Sequence, residues 1–305
     1  MEILSKIVPI AMLTFVLSSM LSMGLSLTVS QILAPLRNIR LIVLALLANF
    51  VLMPWAAFGI AKVLRLEEAL GIALLLLGTA SGAPFLPLLA RVSKGNLAFS
   101  VGLMVLLMVV TVAYMPLVLP LFLEGVSVDP LKIGRSLVFL MLLPLAIGLL
   151  VKARVSGLAA RVQPSLGRLS LISLACLIAL LLITNAQNVV SLFGTRGVLA
   201  SILFILAGSG IGWVLGGPQS DTRGVMGLGT AQRNIAAALV VGGQNFSDPN
   251  VIVMVVVVAI VGLLMLMPLA KYLARFSQVA IPETDNSAKL QSLEQPANDG
   301  ARRAS

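Results

Sequence analysis

The chain of 305 residues contains no histidine, one cysteine and few charges, 10% against the roughly 25% of an ordinary soluble domain. So little charge excludes a soluble globular enzyme. Without histidine no Cys/His zinc site and no Ser-His nucleophile can be assembled, and one thiol cannot form an intramolecular disulfide. That thiol, Cys176, lies in an apolar stretch and is expected to be a small packing residue. Acids are scarce as well: Glu2, Glu67, Glu68, Glu124, Asp129, Asp221, Asp248, Glu283, Asp285, Glu294 and Asp299 are the full set of eleven. All fall in loops, at span ends or near the C-terminus, so an intramembrane enzyme with paired carboxylates is excluded too.

Apolar sequence fills the remainder. Hydrophobic residues make up 59% of the chain and the mean hydropathy is +1.08. Runs of about twenty apolar residues recur along it, the pattern of a polytopic helical membrane protein and not of a β-barrel, whose strands alternate apolar and polar positions. The formal charge of +10 does not point to nucleic acid, because the basic residues sit between apolar runs, as in cytoplasmic loops.

Charge, Pro and Gly clusters divide the chain into nine expected spans: 7–27, 40–61, 69–90, 97–123, 136–151, 169–187, 198–216, 224–243 and 250–273. The first is read as a transmembrane helix and not a signal peptide, since no A-x-A-like site closes it. Residues 1–275 form the expected transmembrane domain, and 276–305, with Pro282 and Pro296, lose apolar periodicity and read as a disordered tail. Fourteen basic residues fall on one side of these spans and six on the other, which predicts a cytoplasmic C-terminus and an N-terminus outside the plasma (inner) membrane.

Two short segments repeat. Gly78-Thr79-Ala80 precedes Met115-Pro116-Leu117, and Gly229-Thr230-Ala231 precedes Met267-Pro268-Leu269, with Gly-to-Pro separations of 38 and 39 residues. The copies lie five spans apart, so they run in opposite directions. The predicted fold is therefore an all-α polytopic membrane protein of nine helices with inverted-topology repeats, an architecture of secondary transporters.

Helix breaks are expected at Pro84 and Pro87 in the third span and at Gly229 in the eighth. The eighth span carries Thr230, Gln232, Arg233 and Asn234 at mid-depth. With Thr79, Ser81 and Gly82 from the third span they form the expected substrate-binding set. Arg233 is the most informative: a cation that deep costs several kcal/mol. With no acid in any span centre, it predicts either an anionic ligand or helix carbonyl ends that accept its donors. Asn49 and Ser100 are further polar candidates, as are Thr184 and Asn185, while Gly24 and Ser26 are expected to pack closely against another helix.

At this point the residues resemble the bile acid:sodium symporter family over nearly the whole chain. Met23-Gly-Leu-Ser-Leu-Thr28 is similar to that family's M-G-L-T-L-T, Asn49-Phe-Val-Leu-Met-Pro54 to its Q-F-x-x-M-P, and Lys94-Gly95-Asn96 with Leu97-Ala-Phe-Ser100 to its K-G-D-x-A-L-S. Arg223 to Leu239 matches in spacing the family's stretch around M-Q-N-S-G. The resemblance implies a panel of spans 7–27, 136–151 and 169–187 moving against a core of spans 40–61, 69–90, 97–123, 198–216, 224–243 and 250–273, with alternating access. The expected partners are a small organic anion and the lipid bilayer.

Departures from the pattern bear on coupling. Where the resemblance implies a Ser-Asn pair at the family's sodium sites, the chain has Leu86-Pro87; where it implies threonine, Met104; where it implies glutamate, Leu228. Asn49, Ser100 and Gln232 remain as expected ion ligands. Three neutral oxygens offset the desolvation of sodium poorly, so no cofactor is expected and sodium coupling is in doubt. Arg233 stands where the resemblance implies asparagine and would supply permanently the +1 that one glutamate and two sodium ions would sum to. Two other readings stay open: a conventional sodium-coupled organic anion or bile acid symporter, and a membrane ligand sensor that does not transport.

Overall fold

A computed structural model describes residues 2–33, 38–123, 129–184 and 196–276. The last residues of the expected sixth span, including Asn185, and the expected tail beyond residue 276 lie outside the described residues. The described residues form twelve helices: α1 Glu2–Ser26, α2 Val29–Leu33, α3 Ile39–Val63, α4 Glu68–Thr79, α5 Leu86–Val92 and α6 Leu97–Phe122. They continue with α7 Pro130–Arg154, α8 Ser156–Thr184, α9 Gly197–Leu215, α10 Ser220–Ala231, α11 Ile235–Asn245 and α12 Pro249–Leu273.

Seven of these, α1, α3, α6, α7, α8, α9 and α12, are long and apolar enough to cross a membrane. The expected spans 69–90 and 224–243 are each two shorter helices separated by extended backbone, α4 with α5 and α10 with α11. Starts are set locally by side-chain caps: Asn38 accepts from the Leu41 amide, Asn96 from Phe99, Asp129 from Leu131 and Lys132, and Asp248 from Asn250. These polar groups sit at helix ends, where orphan amides need acceptors.

Proline shapes two long helices without ending them. In α3 a π-turn over Ala48–Leu52 precedes Pro54, and in α7 a π-turn over Val138–Leu142 precedes Pro144. Each accommodates a residue that has no N–H and would clash with the preceding turn.

The breaks differ in detail from expectation. The first runs over residues 80–85 and contains Pro84, but Pro87 lies in the first turn of α5, where its missing N–H costs nothing. The second covers residues 232–234, and Gly229 lies inside α10. Gly229 serves a close approach instead: a Cβ there would sit 2.9 Å from Leu86 of α5.

α1 packs along α8 and α7, and α9 lies against α10 and α12. The interrupted helices run through the centre, with ten residues of α4 and most of α11 buried. Cys176 does not pack inward. It is exposed on α8, on the helix face that also carries exposed Ile172 and Ile183. An exposed thiol among exposed apolar side chains suits a face turned to lipid.

The expected close packing at Gly24 is present. A Cβ at Gly24 would stand 2.3 Å from the Leu145 carbonyl oxygen and 2.9 Å from Gly148 Cα, both backbone atoms of α7 that cannot rotate away. Gly24→Ala is expected to cost about 1–3 kcal/mol through overpacking of the α1–α7 contact. Gly59→Ala, which meets nothing within 4 Å, should leave stability unchanged or slightly raised. Thermal unfolding of the two purified variants beside the parent checks the contrast.

Candidate functional site

The two breaks pass each other in direct contact. The Asn234 amide donates to the Ala80 carbonyl at 3.1 Å, and the Asn234 side-chain amide reaches the carbonyls of Ser81 at 3.4 Å and Gly82 at 3.1 Å. Its own Oδ1 caps α11 by accepting from the Ala237 amide. One buried side chain thus starts a helix and fixes the opposite break, satisfying backbone groups freed by loss of helical bonding. Gly82 has φ +81°, and a Cβ there would lie 2.2 Å from the Met108 amide of α6. Only glycine meets both requirements.

α6 holds the first break from the other side. Thr111 Oγ1 accepts from the Ser81 amide at 2.9 Å and donates to the Ser81 carbonyl at 3.0 Å, replacing two backbone bonds with one hydroxyl. Next along the same face, Tyr114 donates to the Phe50 carbonyl. Pro54, four residues after Phe50, has no N–H to offer that carbonyl, so the tyrosine supplies the missing donor.

Arg233 lies at the centre, 2% exposed. Its Nε donates to the Leu77 carbonyl at 2.8 Å and Nη2 to the Gly78 carbonyl at 2.7 Å. Nη1 donates to Asn49 Oδ1 at 2.8 Å and to the Thr230 carbonyl at 3.0 Å. Leu77 and Gly78 are in the last turn of α4 and Thr230 in the last turn of α10. The guanidinium therefore joins two helix C-termini, each carrying about half a negative charge from the aligned peptide dipoles. No carboxylate is among its partners in the described residues. The helix carbonyl ends that the sequence offered as one outcome for this arginine accept its donors.

Asn49 completes the frame from the π-turn of α3. Its Oδ1 accepts from both Arg233 and Ser81 Oγ, the latter at 2.8 Å, and its Nδ2 donates to the Ala45 carbonyl and to Thr230 Oγ1 at 2.9 and 3.3 Å. All four hydrogen-bonding positions of the amide are filled. Thr79 donates to carbonyls one turn back in α4.

The structure thus brings together Asn49, Ser81, Gly82, Thr230, Arg233 and Asn234. It bonds Ser100 elsewhere, to the Leu97 carbonyl of its own helix. Gln232, half-buried, has no side-chain hydrogen bond among the described residues. It is the polar group of the second break left able to meet a ligand. Thr111 and Tyr114 belong to the site and were missed. The signal was present: two polar residues three apart within an otherwise apolar span share one helical face.

A separate cavity of about 880 Å³ opens between α3, α4 and α6, lined by Trp55, Phe58, Lys62 and Phe122 with Phe50 and Tyr114. Of the polar residues placed at the site, Tyr114 lines it.

Asn234→Ala is expected to cost about 2–4 kcal/mol, one cap plus the unpaired carbonyls of the first break. Asn234→Ser, which restores only a cap acceptor, should recover about 1 kcal/mol of that loss. Thermal unfolding of both variants reads the difference.

Among curated relatives, the chain is 27% identical over 198 residues to YocS of Bacillus subtilis, described as an uncharacterised sodium-dependent transporter; the match covers 65% of this chain and 60% of YocS. It is 25% identical over 236 residues, 76% of this chain and 58% of the relative, to a chloroplast protein of Arabidopsis thaliana described as a probable sodium/metabolite cotransporter, BASS1. It is 30% identical over 156 residues to the hepatic sodium/bile acid cotransporter of Rattus norvegicus, covering 49% of this chain and 43% of that protein. The aligned segments span 60% or less of these relatives' lengths. Residues 12–192 match the Sodium Bile acid symporter family, a segment that includes the first interrupted helix and ends before the second. With more than half of its length matched, this membrane protein belongs to that family of transporters.

Proposed function

We propose that the protein is a secondary transporter that carries a small organic anion across the plasma membrane by alternating access. The observation that carries this reading is the crossing of two interrupted helices around a buried cation. Irregular backbone at membrane depth is tolerated where it lines a ligand path, and half-helix ends are the groups that hold ions and charged substrates there. The interrupted pairs α4/α5 and α10/α11 count as one crossing each, which makes nine with the seven long helices. The offset repeats make the two halves inverted in the membrane. Basic loops then put the C-terminus in the cytoplasm.

The polar set has distinct roles in this reading. Gln232 meets the anion at the start of α11, where the helix N-terminus is positive. Arg233 acts through its charge, while Asn49, Thr79, Ser81, Gly82, Thr230 and Asn234 hold the breaks in register. Helices α1, α7 and α8 form the panel, and the remaining long and interrupted helices the core. The two touch where α7 begins: Lys132 Nζ donates to the Gln244 carbonyl at 2.6 Å, Ser136 bonds Gln244 Oε1, and a Cβ at Gly134 would lie 3.6 Å from Pro116. With the N-terminus outside, these contacts close the outer end.

The test is a thermal-stability screen of the purified protein against 2-oxo acids, pantoate-like acids, sulfonates and bile acids, followed by counterflow in proteoliposomes. One anion class is expected to raise the melting temperature by mass action and to show saturable counterflow. Gln232→Ala should weaken that anion about tenfold, the loss of one hydrogen bond to a charged group. Stabilisation without any flux would replace the carrier by a membrane ligand sensor.

A further inference from the structure

Four helix ends meet at the crossing, and the two negative ones face each other. The last turns of α4 and α10 present the Leu77, Gly78 and Thr230 carbonyls toward a common point, and Asn49 Oδ1 adds a fourth oxygen. Convergent carbonyl and amide oxygens are the ligands that a hard cation takes, and half-helix C-termini are where transporters hold one. In this chain the point is already filled. The Arg233 guanidinium spends four N–H bonds on these four oxygens at 2.7–3.0 Å. Its planar fork reaches two helices at once, which the point charge of a lysine would not do.

The relatives named above as sodium-dependent make sodium the ion to test for fit, and the residues do not fit it. Asn49 Oδ1 has both lone pairs occupied, and Leu86, Pro87, Met104 and Leu228 offer no side-chain oxygen. Of the expected ligands only the Gln232 amide and the Ser100 hydroxyl oxygen keep free lone pairs, and two neutral oxygens do not offset the desolvation of an ion at this depth.

We infer that Arg233 is a tethered cation that permanently occupies the oxygen cage between the C-termini of α4 and α10, so that the protein assembles its crossing, and works, without bound sodium. The second half of this statement rests on the carrier reading; the first does not. A cation that enters and leaves can link an ion gradient to the movement of core against panel. A cation tethered to the chain cannot.

The experiment needs no substrate. The melting temperature of the purified full-length protein is measured in sodium, potassium and choline chloride at equal ionic strength, for wild type, Arg233→Lys and Arg233→Ala. Wild type should melt at one temperature in all three salts. Arg233→Ala should melt lower in choline and regain most of the loss, saturably, with sodium or with low guanidinium, an additive that must not stabilise wild type. Arg233→Lys should fall between the two and stay indifferent to sodium.

A wild-type protein stabilised by sodium over both potassium and choline would overturn the inference. So would an Arg233→Ala protein that answers to no added cation, since the four oxygens would then not form a cage. Should Arg233→Ala fail to fold, the salt comparison on wild type and Arg233→Lys still decides the matter. A failed anion screen would count against the carrier and leave this result untouched.

Discussion

The structure turns on one charge placed where no acid can balance it. A guanidinium at membrane depth is costly unless something replaces its water and its counter-ion. Here the replacement is backbone: two helix C-termini directed at one point, with Asn49 as the neutral fourth acceptor. Two half-charges of about 0.5 each offset the guanidinium without any carboxylate. The same arrangement resolves the reverse difficulty, since two helices that end opposite each other inside a membrane leave carbonyls unpaired and negative ends opposed. The arginine and the breaks therefore need each other.

Around that pairing the remaining devices are ways of satisfying backbone without water. Thr111 stands in for two missing backbone hydrogen bonds at Ser81, Tyr114 supplies the donor that Pro54 lacks, and Asn234 caps one half-helix while holding the opposite break. Thr111 and Tyr114 come from α6, Asn234 from the second break and Asn49 from α3, so the crossing is held from α3, α6 and both interrupted pairs. Such a network is rigid because every member is spoken for. Gln232 is the exception, its side-chain amide unengaged among the described residues.

Helices α1, α7 and α8 lie beside the crossing and share the apolar core with the other helices; a Cβ at Gly243 of α11 would stand 3.1 Å from Met12 of α1. The first three pack closely on one another, with Gly24 against Gly148. Toward the remainder the described polar links sit at one end, around Lys132, Ser136 and Gln244.

Much of this was legible in the order of residues. Composition alone determined a helical membrane protein, because only intrasegment hydrogen bonding tolerates such long apolar runs. Charge, proline and glycine clusters marked the spans, and proline in the third and glycine in the eighth marked the interrupted ones, though not the break positions at Pro87 and Gly229: a proline is free in a helix's first turn, and a glycine can serve contact as well as flexibility. The isolation of Arg233 from every acid was also in the sequence, and so was the short choice of what could hold it. Which member of that choice applies was decided by the tertiary structure. Carbonyl oxygens occur in every residue, and only the fold determines which of them converge. Thr111 and Tyr114 were marked in the sequence only by sharing one face of an apolar helix, and nothing there told Cys176 from a packed residue. Their roles depend on which face of the helix meets the crossing and which meets lipid.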